Sequence, residues 1–503
     1  MSTDNESAAR PRVSDLPDPS DAENVVYNPS EKRLREFSSH LETTTEYGSP
    51  SYVSEYRSRC AGRTRNAVDD DFDADDYVYI ERAFEAACDE EMVCLDRRVG
   101  AHPEHSYTCR FYVPKEHARI ALALGKLLEP AEDDEPDFLT VQVPDREETA
   151  IRVLPDEGVT AVVGSDYTGE AKKSFLRLFM YHVKQAGGLG LHAGSKRITL
   201  NDGGTREVGQ LFLGLSATGK STLTAHGLGL ESPEGATMLQ DDVCGLLPDG
   251  TVIGSEGRGL YVKTIGLDAD EQPETYEAVT DESAVLENVD VAGDGAVDFD
   301  SDRHTTNGRA AILRENLSSA ANDEIDLDGV DQVFFITRNP AMPPVARLDP
   351  EKAAAAFMLG ESIETSAGDP DRAGESVRVV GTNPFIVGSE GEEGNRFRDL
   401  VAELEVECYV LNTGCVGNED PTDICVEDSV AILREIARGN VDWSEDETGM
   451  TVPESVPGLE VDRFDVADSF NDADKRLARL RDERREYLSA FSDLDDEIVD
   501  AVY

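Results

Sequence analysis

The stretch Gly214-Leu215-Ser216-Ala217-Thr218-Gly219-Lys220-Ser221-Thr222 fits the phosphate-binding pattern G-x-x-x-x-G-K-[ST] in full. Upstream, Val208 to Leu213 is a short apolar run that reads as a buried strand, and downstream Ser221 to Leu228 reads as the opening of a helix. A strand that turns on glycine into a helix aims a row of unpaired backbone N–H groups into one concavity, which suits phosphate. Lys220 can then reach the terminal phosphates, and the Ser221 hydroxyl can hold a divalent cation. A glycine-rich turn that matches by chance is the competing reading. The strand before and the helix after decide for a nucleoside triphosphate.

The rest of the composition narrows the class. At 503 residues the chain is long enough for two or three domains. Its 104 acidic against 47 basic residues give a net charge of -57, with only eleven lysines, yet 39% of residues are hydrophobic. Dispersed acid excess over an apolar core is the composition of a folded enzyme adapted to molar salt, where a Debye length of roughly 3 Å makes self-repulsion tolerable. Disorder is the other reading of such charge, but alternating apolar segments run through most of the chain. Nucleic acid is a poor candidate partner, because the required basic face is missing. The eight cysteines include no C-x-x-C pair, which indicates reduced thiols rather than a disulfide frame or zinc site. No signal pattern opens the chain and no apolar run approaches the ~20 residues that span a bilayer, so a cytoplasmic protein without membrane association is expected.

Along the chain, residues 1–24 are expected to be a disordered acidic N-terminus, 25–190 a first domain, 191–470 a nucleotide-binding domain with inserted elements, and 471–503 a charged helix, exposed or docking. Helical patterns fall at Ser30–Glu42, His117–Leu128 and Phe175–Val183, and strand patterns at Met92–Leu95, Thr108–Val113, Gln332–Thr337 and Tyr409–Leu411. The acidic clusters Asp69–Asp76 and Glu132–Asp137 read as solvated loops, and Pro248-Asp249-Gly250 as a hairpin turn.

Other residues decide what a phosphate loop is for. Asp241-Asp242 closes a short apolar run about twenty residues after the loop, where a metal-holding acid sits in such folds, although an acidic turn satisfies the spacing equally. Tyr167-Thr-Gly-Glu-Ala-Lys172-Lys173 precedes the 175–183 helix. His192 stands alone in an apolar, glycine-flanked run, a setting in which a satisfied core histidine is commoner than a ligand.

Taken in order, these pieces resemble the ATP-dependent phosphoenolpyruvate carboxykinases. That family carries a tyrosine-glycine turn ending in Lys-Lys, a histidine after an apolar strand, the loop G-L-S-G-T-G-K-T-T and then Asp-Asp. The resemblance continues through Tyr261-Val262-Lys263-Thr264, Glu274-Thr275-Tyr276, Leu286-Glu287-Asn288-Val289, Asn307-Gly308-Arg309, Pro343-Pro344-Val345-Ala346-Arg347-Leu348 and Leu411-Asn412-Thr413-Gly414. It covers roughly Glu91 to Asp465. The phosphate loop lacks the cysteine of the GTP-using branch, which favours ATP. Departures are present too. The N-terminal oxaloacetate-binding motif is not visible, so Arg57 is its expected counterpart, with Arg59 and Arg63 behind it. The Asn-Thr-Arg motif is Asn307-Gly308-Arg309, and the adenine-side Arg-Ile is Asp423-Ile424, with a hydroxyl surviving at Ser429.

The resemblance implies an α/β fold of two lobes, a substrate domain followed by a mononucleotide-binding domain, with the site in a cleft that closes against water. It implies conversion of oxaloacetate and ATP into phosphoenolpyruvate, ADP and CO2, in gluconeogenesis. It implies Mn2+ held by Lys173, His192 and Asp242, and Mg2+ arriving with ATP on Ser221. Arg57, Tyr167, Lys173 and Arg309 would bind substrate, with Lys173, Lys220, Arg309 and Asp242 catalytic. His192, Gly214–Thr222, Glu274, Arg309, Ile424 and Ser429 would surround the nucleotide. A monomer is expected. Two rivals stay open at this point: a nucleotide-binding regulatory paralogue without catalysis, for which the altered Arg57 region and Asp423 speak, and a phosphate-loop kinase of the HPr-kinase type.

Overall fold

The structure is a computed structural model that describes residues 16–56, 60–131, 135–201, 203–322, 324–363, 376–418 and 420–503. The first fifteen residues of the expected N-terminal tail, together with Arg57, Arg59 and residues 132–134 of the second acidic cluster, lie outside the described residues. The chain divides into two compact units, one combining residues up to Tyr181 with Glu256–Ser318, the other His182–Ser255 with Ser319–Tyr503. Both mix helices with sheets, as an α/β chain should.

In the first unit an eight-stranded mixed sheet runs in the spatial order Val25–Tyr27, Met92–Val99, Tyr107–Pro114, Phe138–Val143, Val159–Val163, Ala150–Leu154 and Thr64–Asn66, with Glu129–Pro130 on a side branch. The helix Ala74–Asp89 covers it through Ile80, Ala83, Phe84 and Ala87. A second sheet joins Gly259–Lys263, Arg309–Leu313 and Val285–Glu287 to Pro50–Tyr52 and Thr43–Thr44. That pairing, Leu286 opposite Ser51, explains why 256–318 belongs here and not to the uninterrupted 191–470 domain expected from sequence. Pairing across more than 200 residues leaves no local pattern to read.

The second unit is built on one eight-stranded sheet, for which we use β1 (Ala193–Asn201), β2 (Thr205–Leu213), β3 (Gly235–Gln240), β4 (Gln332–Thr337), β5 (Val345–Leu348), β6 (Glu407–Asn412), β7 (Asp442–Glu445) and β8 (Thr451–Ser455). The order is β3-β1-β2-β4-β6-β5-β8-β7, with β2, β4 and β6 mutually parallel and the remaining pairs antiparallel. Helices α1 (Lys220–Ala225), α2 (Pro350–Leu359), α3 (Glu390–Glu403), α4 (Val426–Arg438) and α5 (Ala473–Leu488) accompany it. The run Gln332–Thr337 is apolar on both sides because its side chains alternate between two cores. Val333 and Phe335 belong to the core that also holds apolar residues of α2, α3 and α5, whereas Phe334 and Ile336 belong to the one shared with α1 and α4. On the latter side Phe212, Phe334, Tyr409 and Trp443 form a ladder with ring centroids 5.5, 5.1 and 5.3 Å apart, crossing the sheet from β2 to β7.

Two sequence expectations need correction. The cluster Asp69–Asp76 is not all solvated loop: Asp73 caps the helix Ala74–Asp89, and Asp76, 1% exposed, accepts from Arg65 Nη1 at 2.6 Å and Arg152 Nε at 2.5 Å. The tail is two helices rather than one, and of the exposed and docking readings it takes the docking one. After α5 a second helix, Asp496–Asp500, follows, and Leu477, Leu488, Leu494 and Ile498 join the main core of the second unit. Arg484, fully buried, donates to Glu361 Oε1 at 2.9 Å and to the Tyr503 carbonyl. Among the described residues no helix is long and apolar enough to cross a membrane.

Candidate functional site

The carboxyl ends of β2, β4 and β6 lie along one edge of the second unit's sheet, the edge where ligands bind in open α/β sheets. β2 ends at Leu213 and the phosphate loop follows, entering α1 at Lys220. Ala217 and Gly219 take φ of 64° and 90°. Glycine adopts this left-handed region freely, whereas alanine at 217, where the resembling family has glycine, is held there at about 1 kcal/mol. Thr218 closes the loop on itself by donating to the Leu215 carbonyl at 2.8 Å, and Thr413 from β6's end donates to the Thr218 carbonyl at 2.7 Å.

α1 is only six residues long and could not stand alone in water. Its far end is held by Lys196 of β1, 0% exposed, which donates to the Leu223 and His226 carbonyls at 2.5 and 2.6 Å. A cation there also suits the helix dipole. Gly194 allows the close approach, since a Cβ at that position would lie 2.3 Å from Thr224 Oγ1. Burial pushes the Lys196 ammonium down to about 7. A lysine whose folded-state pKa lies below its unfolded value of ~10.4 binds fewer protons when folded. Its charge therefore opposes folding fully below the folded value, and the opposition fades as pH rises toward the unfolded one. The stability of the parent relative to Lys196→Met should rise between pH 7 and 9.5 by up to about 1.4 kcal/mol per pH unit. Denaturant titrations of the two that run parallel over this range would contradict the assignment.

The start of β1 lies beside the end of β2, Ala193 opposite Leu213, and beside the end of β3. This brings His192, Asp242 and Lys220 together. His192 Nδ1 lies 2.6 Å from the Thr382 carbonyl, which can only accept, so Nδ1 carries the proton. Nε2 then faces Asp242 Oδ1 at 2.9 Å. An imidazole lone pair and a carboxylate oxygen aimed at each other need a cation between them, either a proton or a metal. The donor set fits a divalent transition ion. Lys220 Nζ stands 3.9 Å from the same Asp242 oxygen and makes no hydrogen bond among the described residues. Thr382 is itself in the left-handed region, at φ 52°, a strained conformation for a β-branched residue that presents its carbonyl to His192.

Around the residues expected to meet adenine, Ile424 N–H donates to the Gly414 carbonyl at 2.9 Å, and the Ile424 side chain packs with Val416, Phe464 and Val466. Asp423 is exposed and pairs with Cys415. Ser429 is 2% exposed and its hydroxyl bonds back to the Cys425 carbonyl, within the first turn of α4.

The first unit gathers a second constellation. Tyr167 opens the helix Thr168–Gln185, which carries Lys173 a turn and a half later. Lys173 donates to Glu170 Oε1 and lies 5.6 Å above the Tyr167 ring. Burial pushes the Lys173 ammonium below the ordinary lysine range while Glu170 opposes it. Asn307 donates to the Tyr167 hydroxyl at 3.1 Å and accepts from Arg309 Nη2 at 2.9 Å, so it bridges the two expected substrate residues. At Gly308, where the resembling family has threonine, a Cβ would lie 2.7 Å from Thr264 Oγ1. Beneath, Arg119 donates to Glu287 at 2.9 Å and Asp166 at 2.7 Å, and Tyr261 donates to Glu287. Asp166 also accepts the Glu55 and Tyr56 N–H groups at 2.9 Å, and Glu170 the Cys60 N–H at 2.8 Å, fixing the chain on both sides of 57–59. Glu274 accepts from Ser318 on the helix Pro273–Val279, and Arg63 closes a short 3-10 turn after Cys60.

Comparison with known proteins bears directly on these two constellations. The family model described as phosphoenolpyruvate carboxykinase matches residues 63–462. The phosphoenolpyruvate carboxykinase (ATP) of Aeropyrum pernix is 36% identical over 481 residues, 92% of this chain and 94% of that protein. The chain belongs to the ATP-type phosphoenolpyruvate carboxykinase family. Proteins of the same name from Mesorhizobium japonicum and a Chelativorans species are 30% and 31% identical, each over 67% of this chain and 62% of their own length.

Of the expected site residues, His192, the phosphate loop and Asp242 come together in the second unit, and Tyr167, Lys173 and Arg309 in the first. Sequence reasoning missed Thr382, Lys196, Asn307 and Glu170 as their partners. Glu170 was legible as an i,i+3 neighbour of Lys173 on a helix. Thr382 acts through its backbone carbonyl, 190 residues from His192, and carries no side-chain signal.

Proposed function

We propose that this chain catalyses the ATP-driven decarboxylation of oxaloacetate to phosphoenolpyruvate, ADP and CO2, the second unit handling the nucleotide and the first the substrate. The observation that carries the reading is the His192–Asp242 pair with Lys220 beside a complete phosphate loop, and family membership supports it. Eight free thiols, none in a disulfide, suit a reducing cytoplasm.

Loss of CO2 leaves an enolate whose oxygen attacks the γ-phosphate in line, with ADP as leaving group. Arg309, with Arg57 or a neighbour among Arg59 and Arg63, binds the substrate carboxylates. Tyr167, fixed by Asn307, orients the carboxylate that departs as CO2. The loop N–H groups cradle the phosphates, and Lys220 spreads charge over the β and γ oxygens. His192 and Asp242 would hold Mn2+, for which Lys173 is a ligand by the family resemblance alone, and Ser221 the Mg2+ that accompanies ATP. Bound there, the first ion would supply positive charge for the enolate oxygen. Thr382 keeps the His192 lone pair on Nε2, available for that ion.

The test is turnover with ATP, Mn2+ and oxaloacetate in molar KCl, with phosphoenolpyruvate and CO2 expected in equal amounts. Phosphoryl transfer to a protein hydroxyl, or ATP binding without product, would replace this reading with one of the rivals. Arg309→Gln should lower turnover by about 10²-fold or more, since a forked guanidinium–carboxylate contact has no neutral substitute. Unchanged turnover and oxaloacetate affinity would place the substrate elsewhere.

A further inference from the structure

Arg338 leaves the carboxyl end of β4, beside the phosphate loop that leaves β2. Its Nη1 lies 3.5 Å from the carbonyl of Ala217, the left-handed residue of that loop. A hydrogen bond of that length is weak and easily exchanged. On its other side the Arg338 backbone is pressed against Gly414, at the end of β6, where a Cβ would lie 3.2 Å from Arg338 Cβ and 3.3 Å from its carbonyl oxygen. Gly414 in turn receives the Ile424 N–H, and Cys415 pairs with Asp423. Burial and Asp423 push the Cys415 thiol up, and the Arg338 charge opposes them. Arg338 thus stands between the phosphate loop and the hairpin on which the resembling family carries an arginine and this chain carries Asp423. Among the described residues it pairs with no carboxylate, in a chain of net charge -57.

We infer that Arg338, at the end of β4, is a nucleotide-binding residue that grips the polyphosphate chain of ATP. The inference rests on the proposed role of the phosphate loop. A guanidinium at this rim can give forked, charge-assisted hydrogen bonds to non-bridging phosphate oxygens. A tetra-anionic ligand on so acidic a protein needs fixed positive charge besides Lys220.

Calorimetric titration of the full chain at one fixed salt concentration, with ATP, inorganic tripolyphosphate and AMP, tests this. Arg338→Gln should raise the Kd of both ATP and tripolyphosphate about tenfold, with Arg338→Lys recovering part of the loss and AMP little affected. Unaltered tripolyphosphate affinity would overturn the inference, as would a loss equally large for AMP, which would assign the side chain to the base or ribose. A parallel Lys220→Ala separates the failures. If that variant loses affinity and Arg338→Gln does not, Arg338 alone is misassigned. If neither loses affinity, the loop's role falls with it.

Discussion

Replacing Lys220 with alanine should lower carboxykinase turnover by about 10³-fold or more, while the melting temperature stays near that of the parent. The reason lies in what surrounds the side chain. Its ammonium is largely buried, makes no hydrogen bond among the described residues, and has Asp242 as an ion partner only at 3.9 Å. Little internal bonding is lost with it. The loop backbone is held independently by Thr218, Thr413 and the far end of α1, so the phosphate cradle should survive. What disappears is the charge that meets the phosphoryl group as it transfers. Activity within a few-fold of the parent would make the loop a structural turn.

Asp242→Asn should have an effect of similar size by a different route. The amide keeps the shape of the carboxylate but removes its charge, and one of its two terminal atoms becomes a donor. Mn2+ binding, followed by electron paramagnetic resonance in the absence of substrates, should weaken by about 100-fold or more, with turnover falling alongside it. Asp241→Asn should weaken it less, because it is Asp242 that faces His192 Nε2. Undiminished Mn2+ affinity in Asp242→Asn would mean that His192 and Asp242 share a proton and nothing more.

Much of this was written in local sequence. The phosphate loop, the strands before and beside it, and the helix after Tyr167 all follow from motif and apolar periodicity, because each is fixed by contacts within a few residues. The motifs also placed His192, Asp242, Tyr167, Lys173 and Arg309 in one family pattern. What stayed hidden is long-range. The insertion of 256–318 into the first unit depends on Val285–Glu287 finding Pro50–Tyr52, and the tail's burial depends on Arg484 finding Glu361. Lys196 sat in a run of strand character with nothing to mark it as the anchor of α1. Asp76 was hidden by its neighbours: in a string of six acids, no pattern singles out the one that two arginines bury.

The aromatic ladder makes the protein its own optical reporter. Trp443 is the sole tryptophan of the chain, its ring tilted against Tyr409 at a centroid distance of 5.3 Å at the β7 end of a series that reaches Phe212, two residues before the phosphate loop begins. Its emission therefore belongs to the second unit alone, and excitation of Tyr409 will feed it by energy transfer. Unfolding followed at tryptophan wavelengths will record the nucleotide sheet and be blind to the first unit. Circular dichroism will record both. If the two units melt separately, the two signals will part, and the difference between them will be the melting curve of the unit that has no tryptophan.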